Sequence, residues 1–144
     1  MKVELKTVPS PDEELAQIRA FSLTEEIRGA IDLLENNCRR LPVIKESEKV
    51  FINTDKIYYI ESVDKKSYLY TKEDCYETKL RLYEAEQQLS ANFFRCSKAM
   101  IVNVRKIKAV KSELNGRFRA TLLNGEEIII ARSYVKNLKE RLGI

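Results

Sequence analysis

Histidine is missing from the 144 residues altogether, and this absence removes several classes of function. Without an imidazole there is no general base for the Ser-His-Asp or Cys-His arrangements of hydrolases. The three cysteines, Cys38, Cys75 and Cys96, are widely spaced and include no CxxC pair. A zinc site would therefore have too few thiolates and would lack its usual nitrogen ligand. We expect no metal, no cofactor and no enzymatic reaction.

Glycine and proline are also scarce, at four and three residues, so little of the chain is predicted to be linker. Hydrophobic residues make up 44% of the chain, which is enough for a sizeable core. No apolar run approaches the roughly 20 residues that a membrane-spanning helix requires. The first 15 residues contain no apolar segment of the kind found in secretion signals. These features predict a cytoplasmic protein.

Charge is distributed unevenly along the chain. Residues 1–37 contain four basic and eight acidic side chains, whereas residues 38–144 contain 22 basic and 14 acidic ones. Opposite net charge predicts two parts with different surfaces and different partners. We place the boundary at Leu41-Pro42. Residues 1–41 then form a small segment for dimerisation or partner binding, and residues 42–144 form the main domain.

The N-terminal segment has the pattern of two strands followed by a helix. Val3, Leu5 and Thr7 alternate with charged residues, and residues 15–21 fit a second strand or a short helical piece. Ser22 and Glu25 have the spacing of a capping box at a helix start. Apolar residues at helical spacing over 23–34 predict an amphipathic helix.

The main domain is predicted to be β-rich, which makes the chain an α+β protein with β dominant. Runs of branched and aromatic residues predict strands at 50–52, 57–60, 68–70, 75–78, 107–110, 117–123 and 127–130. The patterns over residues 80–90 and from about Ser133 onward are helical. Asn115-Gly116 and Asn124-Gly125 predict hairpin turns, because both residue types tolerate a positive φ.

A basic run lies between Arg95 and Lys111, where six Lys and Arg residues occur without any acidic one. Ser97, Asn103 and Ser112 add neutral hydrogen-bonding groups. Phosphate recognition uses this mixture, since cations release condensed counterions while amides and hydroxyls fix the register on the backbone. A solvated basic face would have the same composition. The contrast with the acidic N-terminal segment favours a polyanion as partner.

Four stretches of the main domain resemble the signature of LytTR-type DNA-binding domains. Asn92–Asn103 resembles the F-x-R string of that family with its V-N ending. Ile57–Ser62 resembles its I-x-Y-I-E strand, Leu122–Ile128 its late NG hairpin, and Ala131–Tyr134 its S-R-x-Y entry to the last helix. The resemblance covers residues 42–144. It implies an elongated fold of several small antiparallel sheets with short helices.

The resemblance also implies a function. LytTR domains belong to bacterial transcription regulators and insert loops and turns, rather than a recognition helix, into successive major grooves of double-stranded DNA. They often follow a phosphorylatable receiver domain, as in response regulators, but residues 1–41 are too short for one. We therefore expect sequence-specific DNA binding by a homodimer or by paired monomers on a direct repeat.

Site residues can be carried over from the family by position. The residues expected to contact bases are Lys66, Ser67, Ser97, Lys98 and Arg132. Arg132 can bind guanine O6 and N7 with two parallel N–H bonds, and Lys98 can reach the same acceptors. Backbone contact or support is expected from Arg95, Asn103, Arg105, Lys106, Lys108 and Ser133. An ion pair between Arg132 and Glu127 would be a structural alternative.

Three other functions stay open on the sequence alone. An RNA-binding module would use aromatic residues on strands to stack bases, and the candidates are Tyr58, Tyr59, Tyr68 and Tyr70. A protein-interaction module would work through the acidic N-terminal segment. A small enzyme using carboxylate or lysine chemistry would need a deep pocket that perturbs a pKa strongly.

Overall fold

The computed structural model describes residues 1–36, 40–90 and 92–144, apart from the side chains of residues 32 and 36. The chain divides into two units, residues 1–37 and 38–144, and each is described by itself. Among the residues described, no helix has both the length and the apolar character needed to cross a membrane.

The N-terminal unit contains one α-helix, α1, which spans Glu25–Asn36. The helix is predicted correctly, but its start differs from the expected capping box. Thr24 caps it, because the backbone N–H of Ile27 donates to Thr24 Oγ1 at 3.2 Å and that of Arg28 donates to the Thr24 carbonyl at 2.9 Å. Residues Pro11–Glu13 form a 3₁₀ turn, which Ser10 Oγ caps by accepting from the N–H of Asp12 at 3.2 Å.

The two strands predicted for this unit, at residues 3–7 and 15–21, are wrong. Neither segment is a β-strand in the structure, and almost every residue in both is exposed. The backbone groups of a strand need a neighbouring strand to pair with, and residues 1–36 provide none. The unit is thus a helix preceded by irregular chain rather than a β-β-α segment.

The second unit is built from ten strands and two helices within residues 40–90 and 92–144. The helices are α2 (Leu82–Gln88) and α3 (Val135–Leu142). The strands are β1 (Arg40–Lys45), β2 (Glu48–Asn53), β3 (Tyr59–Val63), β4 (Lys66–Tyr70), β5 (Cys75–Thr78), β6 (Phe93–Ser97), β7 (Met100–Asn103), β8 (Ile107–Ser112), β9 (Phe118–Leu122) and β10 (Glu127–Ile130).

All strand pairs are antiparallel, and they form two sheets. Seven strands join in the order β2-β1-β5-β4-β3-β7-β6, and three join in the order β10-β9-β8. The prediction of a β-dominant fold with antiparallel sheets and short helices is confirmed. The strands expected in several small sheets instead form one large sheet and one small one.

Strand β1 was not expected, and it crosses the predicted boundary at residues 41 and 42. Leu41 and Val43 are each 1% exposed and belong to the core of the second unit. Pro42 has no N–H for a ladder, but β5 pairs with β1 only at Ile44. The hydroxyl of Thr78 donates instead to the Pro42 carbonyl at 2.8 Å.

Two-residue turns close the β1–β2 and β3–β4 hairpins. Glu46-Ser47 has φ values of 50° and 66°, and Asp64-Lys65 has φ values of 49° and 67°. These paired positive φ values belong to the tightest hairpin turns. Hairpins also form at the two Asn-Gly pairs, as predicted, but there only Gly116 and Gly125 have a positive φ, because the connections are longer.

Both faces of the large sheet are buried. Successive residues of a strand point to opposite faces. One face packs against α2 through Ile60, Leu69, Phe93, Ile101, Leu82 and Ala85. The other face packs against the small sheet and α3 through Tyr59, Phe94, Cys96, Val102, Ala120, Leu122, Ile128, Ile130 and Leu138. Many residues of the central strands are therefore buried on both sides of the sheet.

Candidate nucleic-acid interface

Three turns meet at one end of the large sheet. They are the β3–β4 turn, the β6–β7 turn and the 3₁₀ turn Arg132–Tyr134 that leads into α3. The N–H of Ser62 donates to the carbonyl of Ala99 at 2.8 Å, and the N–H of Ala131 donates to the carbonyl of Cys96 at 2.8 Å. These two backbone bonds hold the turns side by side. We call residues 64–66, 97–99 and 131–133 the three-turn surface.

The β6–β7 turn presents Lys98 and Ala99 to solvent. A bulge between Arg95 and Ser97 shifts the register of β6 against β7. Ser97 Oγ accepts from the N–H of Ala99 at 3.2 Å, and its own hydroxyl hydrogen can still be donated. Within the described part of the chain, the Lys98 ammonium takes part in no ion pair.

Arg95 supports this turn from below. Its Nη1 donates to the Lys98 carbonyl at 2.9 Å, and its Nε lies 3.4 Å from Glu86 Oε2 of α2. Nε is buried. Its contact with Glu86 is an ion pair without hydrogen-bond geometry, and Nε has no hydrogen-bond partner among the described residues. The side chain is only 24% exposed. Arg95 is thus a brace for the turn.

The β3–β4 hairpin carries Lys66 and Ser67, and the structure separates the two. Lys66 is exposed, with Nζ 3.9 Å from Glu77 Oε1, and such an open pair holds the lysine weakly. Ser67 is 6% exposed, because it points to the same face of β4 as the core residue Leu69. The hydroxyl of Ser67 is therefore buried in this structure, and the base contact expected of it stays a prediction.

Arg132 and Ser133 are the first two residues of the 3₁₀ turn, and both are exposed. The backbone of the turn is fixed on both sides of Arg132 by the bond from Ala131 to Cys96 and by that from the N–H of Tyr134 to the Ala131 carbonyl at 2.9 Å. The alternative pairing of Arg132 with Glu127 is not found. Glu127 Oε2 instead accepts from Arg119 Nη1 at 3.0 Å.

The basic run between Arg95 and Lys111 does not form one surface. Strand β7 carries the chain away from the three-turn surface over about 13 Å, the length of four extended residues. Arg105 and Lys106 therefore lie towards the opposite end of the sheet, and Lys108 is exposed on β8. Lys106 Nζ sits 5.2 Å from the centroid of the Tyr58 ring, beside an open groove of about 410 Å³.

Asn103 is an internal brace at this opposite end. It is 2% exposed. Its Nδ2 donates to the Ile57 carbonyl at 2.9 Å, and its Oδ1 accepts from the N–H of Arg105 at 3.0 Å. The supporting role predicted for Asn103 is therefore exerted on the protein backbone, where it fixes the turn Val104–Lys106.

The tyrosines that kept an RNA-binding module open are largely committed to the core. Tyr58 and Tyr59 are buried, and the rings of Tyr59 and Tyr70 stack with centroids 4.3 Å apart. Burial raises the pKa of Tyr70 to about 12 and holds the pKa of Tyr59 above its ordinary range. Rings that stack on each other inside a core do not offer their faces to bases, which speaks against this alternative.

The cysteine and carboxylate side chains are the remaining candidates for binding a metal ion. In the part of the chain that the structure describes, no three Cys, Asp or Glu side chains are grouped so as to hold a metal ion. Cys96 is fully buried, and its burial raises the pKa of the thiol to about 12, so that it stays protonated near neutral pH. Cys75 is exposed. Cys38 lies outside the described residues.

Comparison with known proteins identifies a matching family. The model of the LytTr DNA-binding domain matches residues 47–143. An HTH-type transcriptional regulator of Staphylococcus aureus strain NCTC 8325 is 29% identical over 146 residues, which cover 100% of this chain and 99% of that protein. A protein with the same description from strain MRSA252 is 28% identical over the same shares.

A solved structure is similar as well. It is the LytTr DNA-binding domain of a protein described as a methyl-accepting/DNA response regulator from Bacillus cereus. Its sequence is 29% identical, and the TM-score is 0.68 over 73% of this chain and 97% of that one.

Proposed function

The chain belongs to the LytTR family of DNA-binding domains, and we propose that it is a bacterial transcription regulator that binds specific sites on double-stranded DNA. It acts in the cytoplasm and reads bases with the three-turn surface. The observation that carries this proposal is the meeting of Lys66, Lys98 and Arg132 at one end of the sheet, joined through two backbone hydrogen bonds.

The arrangement of the helices supports reading by turns. A helix-turn-helix needs two consecutive helices, but within residues 1–36, 40–90 and 92–144 each α-helix is separated from the next by strands. Helix α2 packs its Leu82 and Ala85 into the core, and α3 does so with Leu138. The HTH description of the relatives therefore does not match a helix pair in this fold. Lys98 and Arg132, the exposed donors of the three-turn surface, lie on turns instead.

The chemistry of the three turns suits a major groove. The guanidinium of Arg132 offers two parallel N–H donors to guanine O6 and N7, and the Lys98 ammonium reaches the same type of acceptor. Ser97 and Ser133 add hydroxyls for phosphate oxygens or base edges. Arg105, Lys106 and Lys108 lie away from this end and would contribute attraction to phosphates without reading the sequence.

Selection of bound fragments from a random duplex library by the full chain tests the proposal directly. If no sequence is enriched, specific recognition is wrong. Once a preferred site is known, affinities for matched and scrambled duplexes are compared at two salt concentrations. The affinity for the matched site should fall steeply as salt rises, with a slope of roughly 0.9 per neutralised phosphate.

Two variants assign the roles of the basic residues. Arg132→Lys keeps the charge but loses the planar fork, so it should weaken the matched complex by about 1–3 kcal/mol and leave scrambled DNA nearly unchanged. Lys106→Ala, at the opposite end of the sheet, should weaken both duplexes by similar factors and reduce the salt slope by at most about one. Equal weakening of both duplexes by Arg132→Lys would make Arg132 a backbone clamp.

We propose further that the N-terminal segment joins two copies of the chain. Leu33 and Leu34 of α1 are 64% and 58% exposed, and Phe21 is fully exposed. Exposed apolar side chains of this kind are typical of a surface that a protein partner covers, and we take that partner to be a second copy of the chain. Deleting residues 1–37 should leave a folded DNA binder. In sedimentation the full chain should behave as a dimer and the truncated chain as a monomer, and an unchanged oligomeric state would contradict this role.

A further inference from the structure

The β8–β9 turn lies against Arg132 at a glycine. The turn closes with the N–H of Glu113 donating to the Arg117 carbonyl at 2.8 Å and that of Gly116 donating to the Glu113 carbonyl at 3.2 Å. Gly116 has a φ of 81°, in the left-handed region that side chains seldom adopt. The backbone therefore turns sharply here and leaves no Cβ on its outer side.

The aliphatic part of Arg132 lies close to the space that a Cβ on Gly116 would take. A Cβ built on Gly116 would lie 3.0 Å from Cδ, 3.2 Å from Cγ and 3.8 Å from Nε of Arg132. Carbon atoms in van der Waals contact are normally about 3.5–4.0 Å apart. The arginine methylenes thus rest directly on the glycine backbone, and a methyl group there would force them to move.

We propose that Gly116 is a positioning residue for Arg132 and that it aims the guanidinium at DNA. The backbone bonds of Ala131 and Tyr134 fix where the Arg132 side chain starts, and Gly116 fixes the path of its first carbons. An arginine held in this way loses less conformational freedom when it binds a base. The inference rests on the proposed function, since it gives Arg132 a base to read.

The test compares Gly116→Ala with Gly125→Ala. Gly125 has a φ of 89° in the neighbouring hairpin, and a Cβ built there meets nothing within 4 Å. Both variants carry the same backbone strain, but only the first displaces Arg132. We expect similar losses of thermal stability in the two. Only Gly116→Ala should weaken the selected duplex, by about fivefold or more relative to Gly125→Ala, with scrambled DNA unaffected.

The background of Arg132→Ala distinguishes positioning from a separate contact. There Gly116→Ala should cause no further loss of affinity, because the side chain that it displaces is gone. A further loss, or an equal loss in Gly125→Ala, would overturn the proposal.

A measurement without DNA separates this inference from the proposed function. The side-chain Nε–H resonance of Arg132 should shift in Gly116→Ala and stay in place in Gly125→Ala. An unchanged resonance in Gly116→Ala overturns the contact, whatever DNA does. If Arg132→Ala itself leaves the affinity for the selected duplex unchanged, base reading by Arg132 fails, and the role of Gly116 in aiming it fails with it. If Arg132→Ala weakens binding, but Gly116→Ala shifts the Arg132 resonance and keeps full affinity for the selected duplex, only the positioning role of Gly116 is overturned.

Discussion

Replacing Asn103 with alanine should destabilise the protein without removing any contact with DNA. The side chain is 2% exposed and makes two hydrogen bonds, from Nδ2 to the Ile57 carbonyl at 2.9 Å and from the N–H of Arg105 to Oδ1 at 3.0 Å. Alanine provides neither partner. Both backbone groups would then lose the hydrogen bond that the Asn103 side chain supplies.

The expected loss follows from where those two groups lie. A buried backbone group that loses its partner costs about 1–3 kcal/mol. Ile57 is 0% exposed, which places its carbonyl in the upper part of that range, whereas Arg105 is exposed, so water can reach its N–H in part. The free energy of unfolding should therefore fall by about 2–4 kcal/mol. Domains are typically stable by about 5–15 kcal/mol, so the effect is large.

Urea unfolding followed by circular dichroism measures this loss. The control is Asn115→Ala, which removes one exposed hydrogen bond of 3.2 Å to Arg117 and should cost under about 0.5 kcal/mol. The affinity of folded Asn103→Ala for DNA should match that of the parent chain within about twofold. A loss of stability below about 1 kcal/mol would refute the reasoning. A specific loss of affinity at full stability would return Asn103 to the DNA contacts.

Three more outcomes follow from the core. Leu138→Ala should lower the free energy of unfolding in urea by about 2–5 kcal/mol, because Leu138 is fully buried. Leu142→Ala should lower it less, because Leu142 is partly exposed. Equal losses would contradict the packing of α3. A thiol reagent at neutral pH should modify Cys75 in the folded protein and Cys96 only after unfolding, as peptide mass spectrometry would show. Burial raises the pKa of Cys96 and of Tyr70 to about 12. The free energy of unfolding should therefore have its full value below about pH 9 and decline as pH rises towards 12, because the unfolded chain loses these protons first. A constant urea midpoint across that range would contradict both pKa values.

The burial of the strands was only partly predictable from the sequence. In β4, Lys66, Tyr68 and Tyr70 are more exposed than Ser67 and Leu69, but this strand was predicted from its run of aromatic and aliphatic residues and not from an alternating pattern. In β6 and β7, neighbours such as Phe93 and Phe94 are both buried, because the large sheet is covered on both faces. Such strands appear as continuous apolar runs without a period. Strands β6 and β7 were missed, although the similarly buried run at residues 57–60 was predicted.

The opposite error occurred at the N-terminus. Val3, Leu5 and Thr7 alternate with charged residues, yet no strand forms there. An alternating pattern records which side chains prefer burial, but a strand exists only if another strand accepts its backbone hydrogen bonds. That partner is a property of the whole fold, and it is not encoded in the local pattern.

The exposure of candidate site residues could be predicted where strand ends coincide with turns. Lys98 and Arg132 are exposed on turns, as the family resemblance implied. The alternation of β4 contains the signal that Ser67 is buried, since it shares a face with Leu69. The basic run does not form a single surface, because an extended strand separates residues that are close together in the sequence. Lys98 and Lys106 are eight positions apart, and β7 carries them to different ends of the sheet.

The arrangement of the three turns depends on backbone hydrogen bonds and not on the side chains of the turn residues. The bonds from Ser62 to Ala99 and from Ala131 to Cys96 join backbone to backbone, so most residue types can make them. Side chains at positions 66, 98 and 132 can then differ among family members without moving the turns. On the proposed function, the fold determines how DNA is approached, and these few side chains determine which bases are preferred. Arg132 also depends on a neighbouring residue, since its Cγ and Cδ lie where a side chain at position 116 would be in close contact with them. A member with a bulkier residue at the position of Gly116 should therefore read a different base at this turn, or none.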